Sequence, residues 1–363
     1  MSPADFSADG GVEVSVAAQL EERPANPAMT PDGRLIVSHH PFPYHEEATY
    51  RVVECLDDGE IRPFPNETWS TAPDSEGIGL HEVIGMRSDA NGIVYIVDMG
   101  DIEAGDLPKI VAWDTRRDEL HRVIDIPHHA TRPNSLQQDI ALDQVHNAIF
   151  IADMTRADMF GPSDPAIVAV DLDTGRAWRA LQNHESLQPE DITMSIEGDP
   201  ITSEAPDGTV EKPKLGLNPI TIDPAYEWVY YGAIHGTSVY RIRVTDLLDT
   251  TLSADQRHDR IERYGEKPIS DGISIDTAGN VYVTDLQNDA VGVTDPSGEY
   301  RILAADSDHL RWPDGFCCGP DGKIYVTATQ LHRSAMFNGG VEESEPPFEV
   351  LELETIAPST VGR

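Results

Sequence analysis

The stretch Gly279-Asn-Val-Tyr-Val-Thr-Asp285 places turn formers before a run of β-branched and aromatic residues and ends that run on a polar side chain. Such a pattern is typical of a short β-strand that follows a tight turn. The pattern occurs six times along the chain, each time with a large residue at its fourth position, and this repetition indicates a repeat architecture. The six copies are Gly33–His39, Gly92–Asp98, Asn147–Asp153, Glu227–Ala233, Gly279–Asp285 and Gly322–Ala328.

Further strand-like runs flank the copies. One run precedes most of them, as in Asp271-Gly-Ile-Ser-Ile-Asp276, and two runs follow, as in Ala290-Val-Gly-Val-Thr294 and Tyr300-Arg-Ile-Leu303. Four short strands per unit and six units predict an all-β fold, a six-bladed β-propeller of four-stranded antiparallel blades. Because a propeller must close on itself, residues 1–363 are predicted to form a single domain, and only the stretch 244–263 favours helix.

Three segments fall outside the regular repeat. An insertion at about 192–215, rich in turn formers, is predicted to be a hairpin or a flap over one face. Residues 12–19 look like a strand and are predicted to complete the last blade. Residues from about 336 to 363 are predicted to be an extension, with Val341–Glu354 running outside or beside that closure. The sequence leaves open whether the insertion is functional.

The composition is strongly acidic. The 363 residues include 64 Asp and Glu against 26 Lys and Arg, for a net charge of −38, and only five of the cations are lysines. Nucleic acids and anionic membranes are polyanions, so neither is expected as a partner. An acidic, lysine-poor surface is typical of proteins from salt-accumulating halophiles, and a GC-rich genome with an acidic proteome is the alternative explanation.

We expect the midpoint of thermal unfolding to rise substantially between low salt and about 2 M KCl, because salt of this concentration shortens the Debye length to a few ångströms. Repulsion within a chain of net charge −38 then weakens. Circular dichroism at increasing KCl concentration measures the midpoint. A midpoint that does not change over this range contradicts the halophile hypothesis.

The remaining compositional features predict a soluble, cytoplasmic protein. Cys55, Cys317 and Cys318 fit neither a disulfide framework nor a zinc motif, so they are predicted to be buried free thiols. The stretch Met1–Gly11 lacks the basic and apolar regions of a signal peptide. No run of about 18 apolar residues is present that would span a membrane.

Several stretches resemble, in their order along the chain, the Yellow/major royal jelly protein family and its microbial branch. They are Leu136-Gln-Gln-Asp-Ile-Ala-Leu-Asp143, Asn147–Asp153, Ala166–Asp171, Gly175-Arg-Ala-Trp-Arg179, Ser270–Asp276, Trp312-Pro-Asp-Gly315 and Val326–His332. The resemblance covers roughly residues 30–335. It implies a six-bladed propeller with a ligand site at one mouth of the central tunnel.

The same resemblance suggests two kinds of activity. Insect members of the family are linked to dopachrome conversion and to binding of biogenic amines. This chain lacks their disulfide cysteines and a secretion signal, so their extracellular roles are not expected here. The gluconolactonase and regucalcin propellers resemble it more distantly, and this resemblance implies a divalent metal held by one Glu, one Asn and one Asp.

The propeller geometry selects candidate residues for that mouth. In each blade the innermost strand starts at one face and the second strand returns to it, so strand starts and strand ends meet there. Counting back from the large residues places four polar strand starts at this mouth, with Asn26 as a fifth if blade one is shifted by one residue. The second blade has Ile84 at this position and Glu82 just before it. The four polar strand starts are Gln138, Asn218, Asp271 and Asp314.

Each candidate has a predicted role. Carboxylates packed together repel one another, and a hard cation with oxygen ligands, Ca²⁺ above all, relieves this repulsion. The predicted metal ligands are Glu82, Asn218 and Asp271; the predicted catalytic residues are Asp271, Asp314 and, as a general base, His40. The predicted ligand-binding residues are Asn26, Gln138, Asp98, Asp153, Asp285, Gln287 and Gln330.

Two alternatives stay open for these residues. Asp-Gly and Asn-Pro pairs are also simply good turn formers. The strand-end series Asp98, Asp153 and Asp285 also has a structural interpretation, in which each carboxylate hydrogen-bonds the neighbouring backbone.

Two functions fit this chemistry. The first is an enzyme that acts on a small organic molecule, by lactone hydrolysis or by tautomerisation of a dopachrome-like quinone. The second is a non-catalytic binding protein for a small amine or cation. No P-loop and no dinucleotide-binding glycine motif occurs, so no organic cofactor is expected. The sequence leaves the oligomeric state open.

Overall fold

The structure is a computed structural model that describes residues 11–44, 47–102, 104–155, 163–205 and 207–363. Residues 1–10, which carry most of the prediction about a signal peptide, lie outside the described residues, and so does residue 206 of the insertion. Within the described part, no helix is long and apolar enough to cross a membrane.

Each repeat of the sequence pattern folds into one four-stranded antiparallel sheet, so the predicted six-bladed propeller is confirmed. The first three blades consist of Pro24–Met29, Leu35–His39, Val52–Cys55 and Ile61–Pro63; Val83–Ser88, Ile93–Asp98, Lys109–Asp114 and Glu119–Asp125; and Gln137–Asp143, Ala148–Asp153, Ala166–Asp171 and Ala177–Gln182. The other three consist of Leu217–Ile222, Trp228–Ala233, Ser238–Arg243 and Glu262–Glu266; Ile273–Ile275, Val281–Asp285, Ala290–Thr294 and Tyr300–Ala305; and Pro313–Cys318, Lys323–Ala328, Phe348–Glu354 and Ser15–Leu20.

The innermost strands contact one another in a ring, and the strand of blade six meets that of blade one. Apolar clusters fill the spaces between neighbouring blades, and each repeat supplies its large residue to a different cluster. Burial of one such side chain stabilises the fold by about 1.5–3 kcal/mol. The six large residues are Ile36, Tyr95, Phe150, Tyr230, Tyr282 and Tyr325.

The ring closes by combining both ends of the described chain in blade six. Ser15–Leu20 is its outermost strand, in agreement with the expected closure by residues 12–19, and it pairs with Phe348–Glu354. The prediction that residues 341–354 run outside the closure is wrong, because Phe348–Glu354 is the third strand of the blade. Its side chains at Phe348 and Val350 are fully buried, and this burial holds the strand inside the sheet.

The helices are short and lie in the connections. The stretch that favoured helix forms Val244–Leu248 and Ala254–His258, and its end becomes the outermost strand of blade four. The other helical turns are Glu67–Ser70, Glu185–Leu187 and Leu331–Arg333. The insertion forms two small hairpins, Ser195–Ile196 with Asp199–Pro200 and Ser203–Glu204 with Val210–Glu211. All three cysteines are buried and free, as predicted.

Candidate functional site

A bulge recurs at the start of the innermost strands, at the face that we call the upper mouth of the tunnel. In five blades the pairing with the second strand shifts at this point, for example between Gln137 and Ile140. A bulge sets two residues opposite one and re-aims their side chains. Two successive residues of each strand are therefore available to line the mouth. They are Ala25 and Asn26, Ile84 and Gly85, Gln138 and Asp139, Asn218 and Pro219, Asp271 and Gly272, and Asp314 and Gly315.

Glycine at the second bulge position lets neighbouring blades approach closely. A Cβ atom at Gly272 would overlap the carbonyl oxygen of Asp314, and one at Gly315 would overlap the side chain of Asn26. Gly85 has the same relation to the carbonyl oxygen of Gln138. The glycines therefore bring the strand starts of blades five, six and one together around the axis.

Asp271 is held in a fixed orientation at this mouth. Its side chain is 5% exposed, one carboxylate oxygen accepts a hydrogen bond from the Asn218 amide, and the other accepts one from the Trp312 indole N–H at 2.7 Å. Burial raises the pKa of Asp271 to about 6, and the charge of Asp139 acts in the same direction. Asp271 therefore changes its charge close to neutral pH.

Asp314 occupies the equivalent position on the next blade and is also 5% exposed. Burial raises its pKa well above the usual range, and the charges of Asp271 and Asp139 raise it further. Within the described residues, no group donates a hydrogen bond to its carboxyl group. Two buried carboxyl groups on adjoining blades disfavour each other's ionisation, so the pair can combine one carboxylate with one protonated carboxyl group, the arrangement of a base beside an acid.

A second part of the mouth is centred on Asp139 and Arg87, which were not among the predicted site residues. Asp139 is buried and accepts hydrogen bonds from Arg87 Nη2 at 2.8 Å and from the Asn26 amide at 3.0 Å, which joins blades one, two and three across the tunnel. Burial raises the pKa of Asp139 although the Arg87 guanidinium opposes this shift. A signal was present in the sequence, because Arg87 and Asp139 are charged residues in innermost strands that are otherwise mostly apolar.

The ring positions were predicted with one error, in blade one. Strand pairing aligns Ala25, not Asn26, with Asp271, so the one-residue shift assumed for blade one does not occur. Asn26 still reaches the mouth, because it occupies the second bulge position and bonds Asp139. Gln138 is buried there as well, and no described residue hydrogen-bonds its side chain.

The strand-end carboxylates bond their own surroundings. Asp98 accepts hydrogen bonds from the backbone amides of His81, Glu82 and Gly100, which matches the structural interpretation. Asp153 accepts from backbone amides too, and from the Arg179 guanidinium at 2.7 Å.

The remaining predicted residues are dispersed. Asp285 accepts from the Tyr300 hydroxyl and the Asn288 amide, both at 2.8 Å. Gln330 pairs with the backbone of Glu345, and Gln287 is exposed and donates to the carbonyl oxygen of Ser195. None of these groups bonds the Asp271–Asp314 pair within the described residues.

His40 and Glu82 line a different cavity, of about 510 Å³, between blades one, two and three. His40 is buried and accepts a hydrogen bond from the Phe42 amide, and burial beside Arg23 lowers its pKa to about 3. His40 is therefore neutral and only weakly basic. Glu82 is exposed to solvent in this cavity, yet the walls remove part of its hydration and raise its pKa.

The predicted metal ligands are not brought together. Asn218 and Asp271 are in contact, but Glu82 lies in the cavity with His40, and the ring position of its blade is the apolar Ile84. Among the described residues, no group of three His, Cys, Asp or Glu side chains is arranged to hold a metal ion. The residues therefore do not fit the expected calcium site.

An apolar roof covers the upper mouth. It consists of apolar residues at the starts of the innermost strands, residues that follow the second strands, and residues of the insertion. The insertion therefore packs on the mouth. The backbone of Thr202 also pairs with Asn338, and Trp312 stacks on Phe337 with ring centroids 5.4 Å apart. The roof includes Ala25, Ile84, Met99, Met154, Met194, Ile196, Ile201, Leu215, Leu286, Trp312 and Phe337.

Residues 355–363 cross the opposite, lower mouth. Ser359 donates a hydrogen bond to the carbonyl oxygen of Ile275 at the end of the innermost strand of blade five. Gly362 lies against the backbone of Ser88 in blade two, and the Arg363 guanidinium stacks over the Tyr226 ring of blade four at 4.5 Å. This segment therefore obstructs the lower mouth of the tunnel.

The sequence profile of a family described as "Major royal jelly protein" matches residues 82–354. No curated protein matches the chain. Several solved propellers share the fold at low identity. A luciferin-regenerating enzyme is 11% identical, with a TM-score of 0.59 and coverage of 97% of this chain and 98% of the other.

Two other solved structures share the fold. A gluconolactonase from Xanthomonas campestris is 12% identical, with a TM-score of 0.58 and coverage of 94% of this chain and 89% of the other. A calcium-binding protein, regucalcin, from Agrobacterium tumefaciens is 14% identical, with a TM-score of 0.51 and coverage of 96% and 98%. At these identities the likeness shows the fold and not the activity, because one fold serves many functions.

Proposed function

Since the chain belongs to the major royal jelly protein family, we propose that the upper mouth of its tunnel is an acid–base site for a small cyclic carbonyl compound. The reaction that the geometry supports best is proton-transfer tautomerisation of the dopachrome type. One observation carries this proposal: Asp271 and Asp314 are buried on adjoining blades, and burial raises the pKa of both carboxyl groups. A tautomerisation requires one base and one acid, and this pair supplies both.

Each residue of the pair has one role in the proposed step. The ionised Asp271 removes a proton from the carbon or hydroxyl group that is to lose it. Asp314 donates its proton to the oxygen or carbon at the other end of the conjugated system, so the product has the same composition as the substrate. The pair ends with its protonation states exchanged, and proton exchange with solvent restores it. Asn218 and Trp312 hold the Asp271 carboxylate, which limits its motion during the transfer.

The proposed step predicts a bell-shaped dependence of kcat/KM on pH. Activity rises as the pH increases through about 6, because Asp271 must lose its proton to act as the base. Activity falls again at higher pH, where Asp314 loses the proton that it must donate. Initial rates between pH 4 and 10 measure the profile. A flat profile, or one that falls through pH 6, contradicts the assignment of Asp271 as the base.

A binding function is the second candidate, and one observation favours it. The Asp314 carboxyl group is buried, and no described residue donates a hydrogen bond to it. A small primary amine would supply an ammonium donor and a compensating charge. This ligand would shift the proton away from Asp314 on binding, because a nearby cation stabilises the carboxylate.

One screen separates these functions. Purified protein is incubated with dopachrome-like quinones, with five- and six-membered lactones, and with aromatic and aliphatic amines. Turnover of quinones supports tautomerisation, and turnover of lactones shows that the same pair activates water instead. Binding of amines in calorimetry, without turnover of any carbonyl compound, supports the binding function and rejects the enzymatic one.

A further inference from the structure

Lys267 is buried, unlike the other lysines of the chain. Its side chain is 4% exposed and lies between blades four and five, close to the upper face. Lys109, Lys214 and Lys323 each form an ion pair with a carboxylate, and Lys212 is exposed. Lys267 therefore stands in a different chemical environment from its four counterparts.

The Lys267 amine is surrounded by neutral acceptors. Its Nζ atom donates hydrogen bonds to the carbonyl oxygens of Pro268 at 2.9 Å and Ile234 at 3.4 Å, and no described carboxylate lies within ion-pair distance of it. Burial lowers its pKa to about 7, although the more distant charges of Glu190, Asp271 and Asp285 oppose this shift. At pH 7–8 a large fraction of the amine is thus neutral, and a neutral amine is a nucleophile.

Lys267 also lines a cavity of about 390 Å³. Its other walls include the polar side chains of Thr237, Asn288 and Tyr300 and the charged residues Arg263 and Glu266. Asp285 lines the same cavity and is fully buried; one of its carboxylate oxygens accepts hydrogen bonds from Tyr300 and Asn288, while the other has no partner in the described structure. Lys267 and Asp285 thus line the same cavity, one with an amine and the other with a carboxylate that can accept a proton.

We propose that Lys267 is a nucleophile that condenses with a small hydroxylated aldehyde bound in this cavity. The amine nitrogen forms a bond to the carbonyl carbon, and a proton from the nitrogen moves to the carbonyl oxygen to give a carbinolamine. The Asp285 carboxylate then takes the N–H proton of the carbinolamine as the C=N bond of the imine forms, and the hydroxyl group takes up a proton from solvent and leaves as water. No oxidant or reductant takes part. The polar walls offer hydrogen bonds to the hydroxyl groups of the aldehyde.

Reductive trapping tests this proposal on the intact protein. The protein is exposed to glycolaldehyde with cyanoborohydride at pH 7.5, and the five lysines are quantified by peptide mass spectrometry. We expect Lys267 to be modified about tenfold faster than Lys212, because burial lowers the pKa of Lys267 to about 7 and leaves much of its amine neutral at the pH of the experiment. The rate for Lys267 is expected to reach a plateau above pH 7 to 8.

Three further results decide the role of the cavity. Asp285→Asn slows modification of Lys267 but not of Lys212 in the same sample, and circular dichroism checks that the variant is folded. Lys267→Arg abolishes the fast phase, whereas Lys212→Arg leaves it unchanged. Modification of Lys267 no faster than Lys212, or only after unfolding in urea, overturns the proposal. Asp271→Asn is expected to keep the fast phase, so failure here and failure of the tunnel-mouth function are distinguishable.

Discussion

The Asp271→Asn variant is expected to lose turnover by about 100- to 10,000-fold, the contribution of a positioned acid or base. The fold is expected to persist, because rotation of the Asn218 amide lets it accept from the new side-chain NH₂ group while Trp312 still donates to the remaining oxygen. Steady-state kinetics with the compound identified in the screen measure the loss, and circular dichroism measures the fold. If the site only binds amines, Asp271→Asn is expected to lower the affinity for amines, and no turnover is lost.

Two matched variants complete this test. Asp314→Asn removes the acid and is expected to cause a comparable loss, whereas Asp295→Asn changes a hairpin aspartate of blade five, the blade of Asp271, and leaves activity unchanged. Stability provides an independent readout. Because the folded pKa of each acid is raised above its unfolded value, each destabilises the fold as pH rises from about 4 through its folded pKa. Either site variant is therefore expected to unfold at a higher temperature than wild type at pH 8, with no such gain at pH 3.5. Full activity of Asp271→Asn would show that the site is misplaced.

The Arg87→Met variant is expected to lower the free energy of unfolding by about 3–5 kcal/mol, the cost of leaving one member of a buried ion pair without its partner. Arg87 and Asp139 have side chains that are 1% and 4% exposed, and their atoms are 2.8 Å apart. Removal of the guanidinium leaves the Asp139 carboxylate without a compensating charge at the centre of the propeller. Urea denaturation at pH 7.5, followed by tryptophan fluorescence, measures the loss.

A second substitution shows whether the effect comes from the charge. Adding Asp139→Asn to Arg87→Met is expected to recover most of the lost stability, since no unpaired charge is then buried. Arg117→Met is the control, because the ion pairs of Arg117 lie on a side chain that is 73% exposed and contribute little. Equal losses for the Arg87 and Arg117 variants, or a double variant as unstable as the single one, would contradict this account of the tunnel.

The repeat pattern determined the architecture because it encodes interactions between neighbouring blades. Each copy places one large residue, such as Phe150 or Tyr282, where only packing against the next blade buries it. Six copies therefore predict six blades without any knowledge of three-dimensional contacts. The closure was harder to predict. The third strand of blade six is Phe348–Glu354, and a long connection separates it from its partner Lys323–Ala328.

Counting along the strands also placed Asp271 and Asp314 at the same mouth of the tunnel. Each lies 11 residues before the large residue of its repeat, and Asn218 lies 12 residues before Tyr230, so the period of the fold carries all three to this mouth. The same counting placed Glu82 and His40 at the correct face of the propeller but not at their correct positions within that face. It could not show that they line a separate cavity, because lateral position within a face depends on the path of the connecting loops.

The sequence by itself thus determined the number of blades, the face that carries the polar strand starts, and the acidic character of the surface. Only the tertiary structure decided that Asp139 points into the tunnel, because the bulge that re-aims it is a property of strand pairing. The tertiary structure also decided the pKa values of Asp271 and Lys267. The pKa of each depends on how much water the surrounding chain removes and on which charges lie nearby, and both are set by residues that are distant in sequence.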